Sequence, residues 1–224
     1  MSSVVTGAYG FIGRNLVEYL KRKGTSVLSL GSQSSKDEWR ESLAYVDIVY
    51  HLAGVNRPPT VAEFEPGNVG PVLTLCSTLQ DLSRSPKIVM TSSIQAAWDT
   101  PYGRSKLHAE EVLLAHFPTA RISRLRNVFG RWCRPNYNGV VATFCHNISH
   151  GLTIQVSNPK HVLELVHVDD VTAALVDPRM GIPFTSVTLG ELADRIKSFH
   201  AGRGMTGERF NDLLYETYRS YAAN

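Results

Sequence analysis

Cysteine is scarce in this chain: Cys76, Cys133 and Cys145 stand among 224 residues, an odd number at spacings that match no metal-ligand pattern. This excludes a disulfide-stapled scaffold and a zinc finger; free buried thiols in a reducing compartment are expected, and no bound metal. No apolar run approaches the length of a membrane span. No charged leader followed by an apolar stretch precedes the first strand, so the expectation is a cytoplasmic protein that engages no membrane. Dense runs of Lys or Arg are missing too, which argues against nucleic acid as a partner. The 23 basic and 20 acidic residues leave a net charge of +3, a mild surplus suited to an anionic small molecule. Repeats and low-complexity segments do not occur. What remains, 43% apolar and 19% charged residues, is the profile of a soluble globular protein, and 224 residues are long enough for one complete α/β domain with at most a small appended lobe.

The most informative stretch is Val4 to Leu16, VVTGAYGFIGRNL. An apolar strand ends at Thr6, glycines follow at Gly7, Gly10 and Gly13, and Phe11, Ile12, Leu16, Val17 and Leu20 then recur at helical spacing. A strand, a tight turn and a helix N-terminus in this order form a cradle for a pyrophosphate. The expected cofactor contacts are Gly7, Tyr9, Gly10, Phe11, Ile12 and Gly13. The second strand, Ser26 to Leu30, ends in Gly31, Ser32 and Gln33, with none of the Asp or Glu that usually holds the ribose hydroxyls of NAD. With Arg14 and Lys36 as candidate cations for a 2′-phosphate, NADP (NADPH) is favoured over NAD.

A short helix is expected over Trp39 to Leu43 and a third buried strand over Val46 to Leu52. That strand opens into Ala53, Gly54, Asn56 and Arg57. Small residues at the carboxyl edge of a parallel strand leave room for a ligand, so Leu52, Ala53 and Gly54 join the cofactor contacts. Arg57 is placed where a diphosphate or sugar hydroxyl would find it, though an ordinary loop arginine is an equal reading. A helix over Val69 to Leu82 leads to a strand, Lys87 to Thr91, that delivers Ser92 and Ser93 at its end.

Nine residues beyond Ser93 comes Tyr102, and Lys106 follows at i+4, which sets phenol and ammonium on one helix face. This trio suits carbonyl reduction. A hydride reaching a ketone carbon leaves charge on oxygen, which must be protonated as it forms. An unperturbed tyrosine, with a pKa of about 10, exchanges that proton poorly, and a neighbouring ammonium favours the phenolate. A serine hydroxyl would donate to the same oxygen.

TGAYGFIG, HLAG (His51 to Gly54), TSS (Thr91 to Ser93), YGRSK (Tyr102 to Lys106), RLRNVFG (Arg124 to Gly130) and HVDDV (His167 to Val171) occur in this order. Together they resemble the extended short-chain dehydrogenase/reductase family of nucleotide-sugar enzymes, over Val4 to about Val176. HLAGVNRP, SSIQAAWDTPYG, NVFGRWCRPNYNGVVATFC and VTLGELADRIKSF look like the reductase module of capsular-polysaccharide and O-antigen enzymes on the route to UDP-N-acetyl-L-fucosamine.

The resemblance implies a Rossmann-type, doubly wound parallel sheet of α/β class with a small, discontinuous C-terminal substrate lobe. It makes Tyr102 the acid, has Lys106 also hold the nicotinamide ribose, and favours Ser93 over Ser92 as the carbonyl donor. Relatives join such a module to a C-terminal cupin domain that binds zinc and epimerises C3. This chain ends at Asn224 without a cupin-like histidine cluster, so epimerisation is not expected of it. The eight residues between Ser93 and Tyr102 include no Asp-Glu pair after the serines, which argues against dehydration.

Residues 1–130 are expected to form the dinucleotide-binding core and 131–224 mainly the substrate lobe, with 163–176 as a segment that could return to the core. A strand over Arg121 to Val128 would close with Asn127. Arg131 to Asn138 then reads as a loop with an aromatic for uracil, arginines for the diphosphate and amides for sugar hydroxyls. Asn56, Arg57, Ser93, Asn127, Arg131, Arg134, Asn136 and Tyr137 are therefore the expected contacts of a UDP-linked keto-sugar. The bland alternative is a surface loop covering the domain edge.

Further helices are expected over Val140 to Ile148, from Ser186 onward with Thr188 and Glu191 as a capping box, and over Phe210 to Tyr221. A strand, Leu163 to His167, separates the first two, with Asp169 and Asp170 capping the helix after it. The last helix would pack on the domain or on another subunit, and the partners considered are a homodimer or a separate cupin domain. The expected activity is NADPH-dependent reduction of a UDP-linked 4-keto-6-deoxy-N-acetylhexosamine at C4. The alternatives are an NAD-retaining nucleotide-sugar epimerase and a non-catalytic dinucleotide-binding module.

Overall fold

In a computed structural model that describes residues 2–223, the apolar runs of the first half become a parallel sheet. The elements of the first unit, Met1–Leu125, alternate: β1 (Ser2–Thr6), α1 (Phe11–Arg22), β2 (Ser26–Leu30), α2 (Lys36–Leu43), β3 (Ile48–His51), α3 (Phe64–Asp81), β4 (Lys87–Ser93), α4 (Pro101–His116) and β5 (Arg121–Leu125). The strand order is β2-β1-β3-β4-β5, every pair parallel. This is the Rossmann-like, doubly wound arrangement expected. Its order reverses between β1 and β3, so ligand space opens beyond the carboxyl ends of those two strands. On one face Val4, Val49, Ile88 and Met90 pack against Val72, Leu75 and Leu79 of α3 and Leu113 of α4. Enclosure by helices explains why the central strands β1, β3 and β4 are buried along most of their length, while the edge strand β2 alternates.

Several boundaries differ from the sequence expectation for local reasons. α2 begins at Lys36 rather than Trp39, because Ser35 accepts from the Glu38 N–H while the Glu38 carboxylate accepts from the Ser35 N–H, a full capping box. α3 begins at Phe64, five residues ahead of expectation, and runs through Pro66 and Pro71. A proline in the first turn removes an N–H that has no helical partner anyway, so Pro66 does not delay the start. β4 continues through Ser93, which places both serines on the strand itself.

The second unit, Arg126–Asn224, holds β6 (Asn127–Phe129), α5 (Val140–Ser149), β7 (Val162–His167), α6 (Val168–Val176), β8 (Thr185–Thr188), α7 (Leu189–His200) and α8 (Arg209–Ala222). Its own sheet has the order β6-β7-β8, with β6 and β7 parallel and β7 and β8 antiparallel. The single strand expected over Arg121 to Val128 is thus two strands in two sheets. They part at Arg126, whose guanidinium donates to Glu164 at 2.8 Å and lies 4.0 Å over the Phe184 ring. The unit boundary accordingly falls at 125/126 rather than 130/131. The 163–176 segment does not return to the first sheet, since β7 is the central strand of the second.

Two further corrections belong to this unit. Ser186 lies in β8, and the helix starts only after Thr188, whose capping box with Glu191 is present. The side chain at the N-cap of α6 is His167, accepting from the Asp169 N–H at 3.3 Å, while Asp169 and Asp170 occupy the first turn. There their charge opposes the positive end of the helix dipole, and Asp170 is also paired with Arg209 of α8. The last helix buries Phe210, Leu214, Tyr218 and Tyr221 in a core shared with α5 and α7.

Candidate active site

The glycine turn between β1 and α1 is fixed by close backbone approach. Gly7 has φ +65°, and a Cβ there would sit 2.8 Å from the Ala53 nitrogen; a Cβ on Gly13 would sit 2.1 Å from the Gly7 carbonyl oxygen. Neither position accepts a side chain. Gly10 caps α1 without any side-chain hydrogen bond, so the first N–H groups of the helix stay available to an anion. Phe11 and Ile12 are the half-buried first residues of that helix. Tyr9 is 76% exposed with its ring over Gly31 at the end of β2, where a Cβ would meet the ring at 2.6 Å. An open helix N-terminus and a floor of glycine backbone fit the diphosphate of a dinucleotide. The end of β2 presents no carboxylate; Arg14 and Lys36 are both exposed.

Behind the turn, β1 and β3 are tied at their ends. The buried Thr6 hydroxyl accepts from the N–H groups of Leu52 and Ala53, at 3.2 Å each, and meets His51 Nδ1 at 3.0 Å. Gly54 follows directly, and a Cβ there would sit 2.7 Å from Asn68 Oδ1 and 3.7 Å from Lys106 Nζ. Asn68, 1% exposed on α3, accepts from the Val55 N–H and donates to the Val55 carbonyl and to the Ser105 hydroxyl, each at 3.0 Å. The sequence reading missed Asn68. The available signal was a lone amide on the apolar face of a helix, three residues before Pro71.

Ser93, Tyr102 and Lys106 come together in the first unit. Thr100 accepts from the Gly103 N–H at 3.0 Å and, with Pro101 at the first helical position, starts α4 one residue before Tyr102. The Tyr102 ring lies 5.7 Å from that of Phe64. Burial pushes its phenol above the usual tyrosine range, and a hydrogen bond from Ser93 opposes the shift. The Ser93 Oγ also accepts from the Gln95 N–H at 3.2 Å.

Lys106 is 7% exposed and donates to the Thr91 carbonyl oxygen at 3.2 Å. Burial lowers its pKa to about 8, against a raising influence of Glu110. Glu110 is itself buried and held by Arg124 from β5 at 2.6 Å. The acid form of the phenol therefore prevails at neutral pH, and Ser93 is the side chain that hydrogen-bonds to it.

The expected substrate contacts fall in both units. Asn56 and Arg57 are exposed just beyond β3. In the second unit Asn127 is exposed on β6, and the loop after it stacks on itself: Arg131 lies 4.3 Å over Trp132 and Arg134 5.1 Å over Tyr137. Asn136, at φ +54°, exchanges amide hydrogen bonds with Asn147 of α5 at 3.2 and 3.3 Å, a residue the sequence reading left without a role. Its side chain holds the loop to the helix. Among the described residues no three His, Cys, Asp or Glu side chains are grouped to hold a metal ion, and no helix is long and apolar enough to cross a membrane.

A glycine cradle on a doubly wound sheet, with serine, tyrosine and lysine gathered on β4 and α4, defines a class, and the comparisons agree. Residues 3–177 match the NAD dependent epimerase/dehydratase family, and the chain belongs to it. Within that class the chain is 39% identical over 241 aligned residues to UDP-2-acetamido-2,6-beta-L-arabino-hexul-4-ose reductase of Pseudomonas aeruginosa, covering 99% of this chain and 65% of the relative. Among solved structures it resembles the capsular polysaccharide assembling protein CapF from Staphylococcus aureus, with a TM-score of 0.86, 35% identity, and coverage of 99% of this chain and 65% of that one. The chain thus spans about two thirds of the length of these relatives. A UDP-glucose 4-epimerase of Thermotoga maritima shares the fold at a TM-score of 0.81 and 19% identity, covering 100% of this chain and 99% of that one.

Proposed function

We propose that the chain is an NADPH-dependent reductase of a UDP-linked 4-keto-6-deoxy-N-acetylhexosamine, acting at C4 in the making of a bacterial surface polysaccharide. The observation that carries this reading is the Ser93, Tyr102 and Lys106 arrangement in one unit with the open N-terminus of α1. The names of the relatives support it: one is a reductase of a UDP-linked hexul-4-ose, the other a capsule-assembling protein. NADPH rather than NADH is inferred from Gly31, Ser32 and Gln33, which set no carboxylate against a 2′-phosphate.

Gly7, Gly10 and Gly13 would hold the diphosphate of the dinucleotide, and Leu52, Ala53 and Gly54 would line its passage between β1 and β3. When bound, the nicotinamide supplies the hydride. Tyr102 gives its phenolic proton to the carbonyl oxygen as charge develops there. Ser93, whose lone pair already accepts from Gln95, donates toward the same oxygen and stabilises that charge. Lys106 brings a positive charge to the ribose side and makes the resulting phenolate less costly. Asn56, Arg57, Asn127, Arg131, Arg134 and Tyr137 are proposed to contact the UDP-sugar. Asn136 would act through the shape of its loop.

The test is the loss of NADPH absorbance with a UDP-4-keto-6-deoxy-N-acetylhexosamine, wild type against Tyr102→Phe. Wild type oxidises NADPH, and the variant binds it but turns over at least about 100-fold more slowly. A wild type that binds NADPH and leaves the sugar unreduced would overturn the assignment.

A further inference from the structure

Two buried polar atoms beside Lys106 have no partner among the described residues: His51 Nε2 and Ser92 Oγ. Their positions are related by the sheet. His51 pairs with Met90 across β3 and β4, and Ser92 lies two residues further along β4 on the same face as Met90. Lys106 Nζ is anchored to the carbonyl of Thr91, the peptide that leads into Ser92, and its charge is felt at His51. Three polar side chains, 0%, 6% and 7% exposed, thus converge where β3 and β4 end.

The proton on His51 can be placed. The Thr6 hydroxyl accepts from both Leu52 and Ala53 N–H groups, which uses its two lone pairs, so its own proton goes to His51 Nδ1 at 3.0 Å. His51 therefore carries its hydrogen on Nε2, the nitrogen without a partner. Burial and the nearby Lys106 hold its pKa down to about 3, so it stays neutral and adds no charge beside the ammonium. A buried N–H next to an ammonium that donates to the Thr91 carbonyl calls for a further acceptor, and a buried water with two to four polar partners supplies one.

We propose that His51 is a positioning residue for Lys106, acting through a bound water that accepts from His51 Nε2–H and from Lys106 Nζ and donates to Ser92 Oγ. The water solvates the ammonium on the side away from the reacting carbonyl. It leaves the remaining Lys106 proton for the ribose, which rests on the reductase reading above. Glu110 on α4, held by Arg124, also acts on Lys106, and Tyr102 lies one turn before it on the same helix.

The structural arm of the test needs no activity. A crystal structure of the full chain that orders buried waters should show one within hydrogen-bond reach of all three side chains. 15N spectra of labelled histidine should show His51 as the Nε2–H tautomer between pH 5 and 8. An Nδ1–H tautomer, or no such water, overturns the proposal even where the reductase reading stands. The kinetic arm compares His51→Leu with His51→Gln, whose amide keeps a donor near the Nε2 position. His51→Leu should lower kcat by about tenfold and move the basic limb of its pH profile downward, with KM for the UDP-sugar unchanged, and His51→Gln should recover most of it. Superimposable profiles for wild type and His51→Leu overturn it. Should His51→Leu not fold, Ser92→Ala removes another partner of the water and should move the basic limb in the same direction.

Discussion

Lys106 and Thr91 are joined by a single hydrogen bond of 3.2 Å, from the buried ammonium to the main-chain oxygen. That bond ties α4 to the carboxyl end of β4, the strand that presents Ser93. It does so at a cost, because burial lowers the Lys106 pKa from 10.5 to about 8. Between those values the unfolded chain binds more protons than the folded one, so stability contributed at this site rises with pH across that window. Below about pH 8 both states are protonated and the full penalty applies. Lys106→Met should therefore stabilise the fold at pH 7, by on the order of 1–3 kcal/mol. The gain should fade as pH climbs through 8 to 10.5, while turnover is lost at every pH. Thermal melts of both proteins at pH 7 and pH 10 check it, and equal gains at both would refute the assignment of the penalty to Lys106.

Asn68→Ala should cost about 2–4 kcal/mol, since it leaves the Val55 N–H and carbonyl and the Ser105 hydroxyl without their buried partner. The same amide crowds Gly54, so its loss also loosens the segment proposed to line the cofactor. Urea denaturation gives the stability, and NADPH titration of the folded fraction should show weaker binding. A double-mutant cycle with Ser105→Ala isolates the Asn68–Ser105 bond; additivity of the two losses would mean the pair is not coupled.

How much of this was legible in the sequence follows from the reach of each interaction. Local signals carried the β1 turn, β2, α4 and the Thr188–Glu191 box, because each is decided within a few residues. Tyr102 and Lys106 at i and i+4 needed only the helix, and Ser93 needed only the end of β4. The break at Arg126 was not legible: it depends on Glu164 and Phe184, both far along the chain, and a continuous β-rich run hid it. Nor was the second sheet, whose central strand β7 reads like a strand of the first. Asn136 looked like a sugar ligand because an amide in a loop has no visible partner until Asn147 is folded against it.

Two glycines separate steric from conformational need. Gly24, at φ +72°, ends the turn after α1, and a Cβ there would have nothing within 4 Å. Gly24→Ala should therefore cost only about 1–2 kcal/mol, for the left-handed backbone alone, and leave cofactor affinity unchanged. Gly13→Ala has no such relief, because its methyl would meet the Gly7 carbonyl at 2.1 Å. The turn must open, so NADPH binding should fall by at least tenfold as well as stability. Calorimetric titration of both variants distinguishes the two, and a Gly13→Ala chain that binds as wild type would show that the turn is not the cofactor cradle.

The ion pair of Arg124 with Glu110 links β5 to α4 with one member buried and the other largely exposed. Removing the exposed partner strands a buried carboxylate. Arg124→Met should cost about 3–5 kcal/mol, whereas Glu110→Gln, which removes the buried charge itself, should cost less. Glu110 also raises the Lys106 pKa, so its neutralisation lets burial depress that ammonium further below about 8. Under the reductase reading the basic limb of the Glu110→Gln pH profile moves to lower pH, while the limb set by other groups stays in place. Denaturation curves give the stability order, and kcat measured from pH 6 to 10 gives the limb. A basic limb unmoved in Glu110→Gln would mean that Lys106 is not the group whose deprotonation ends activity.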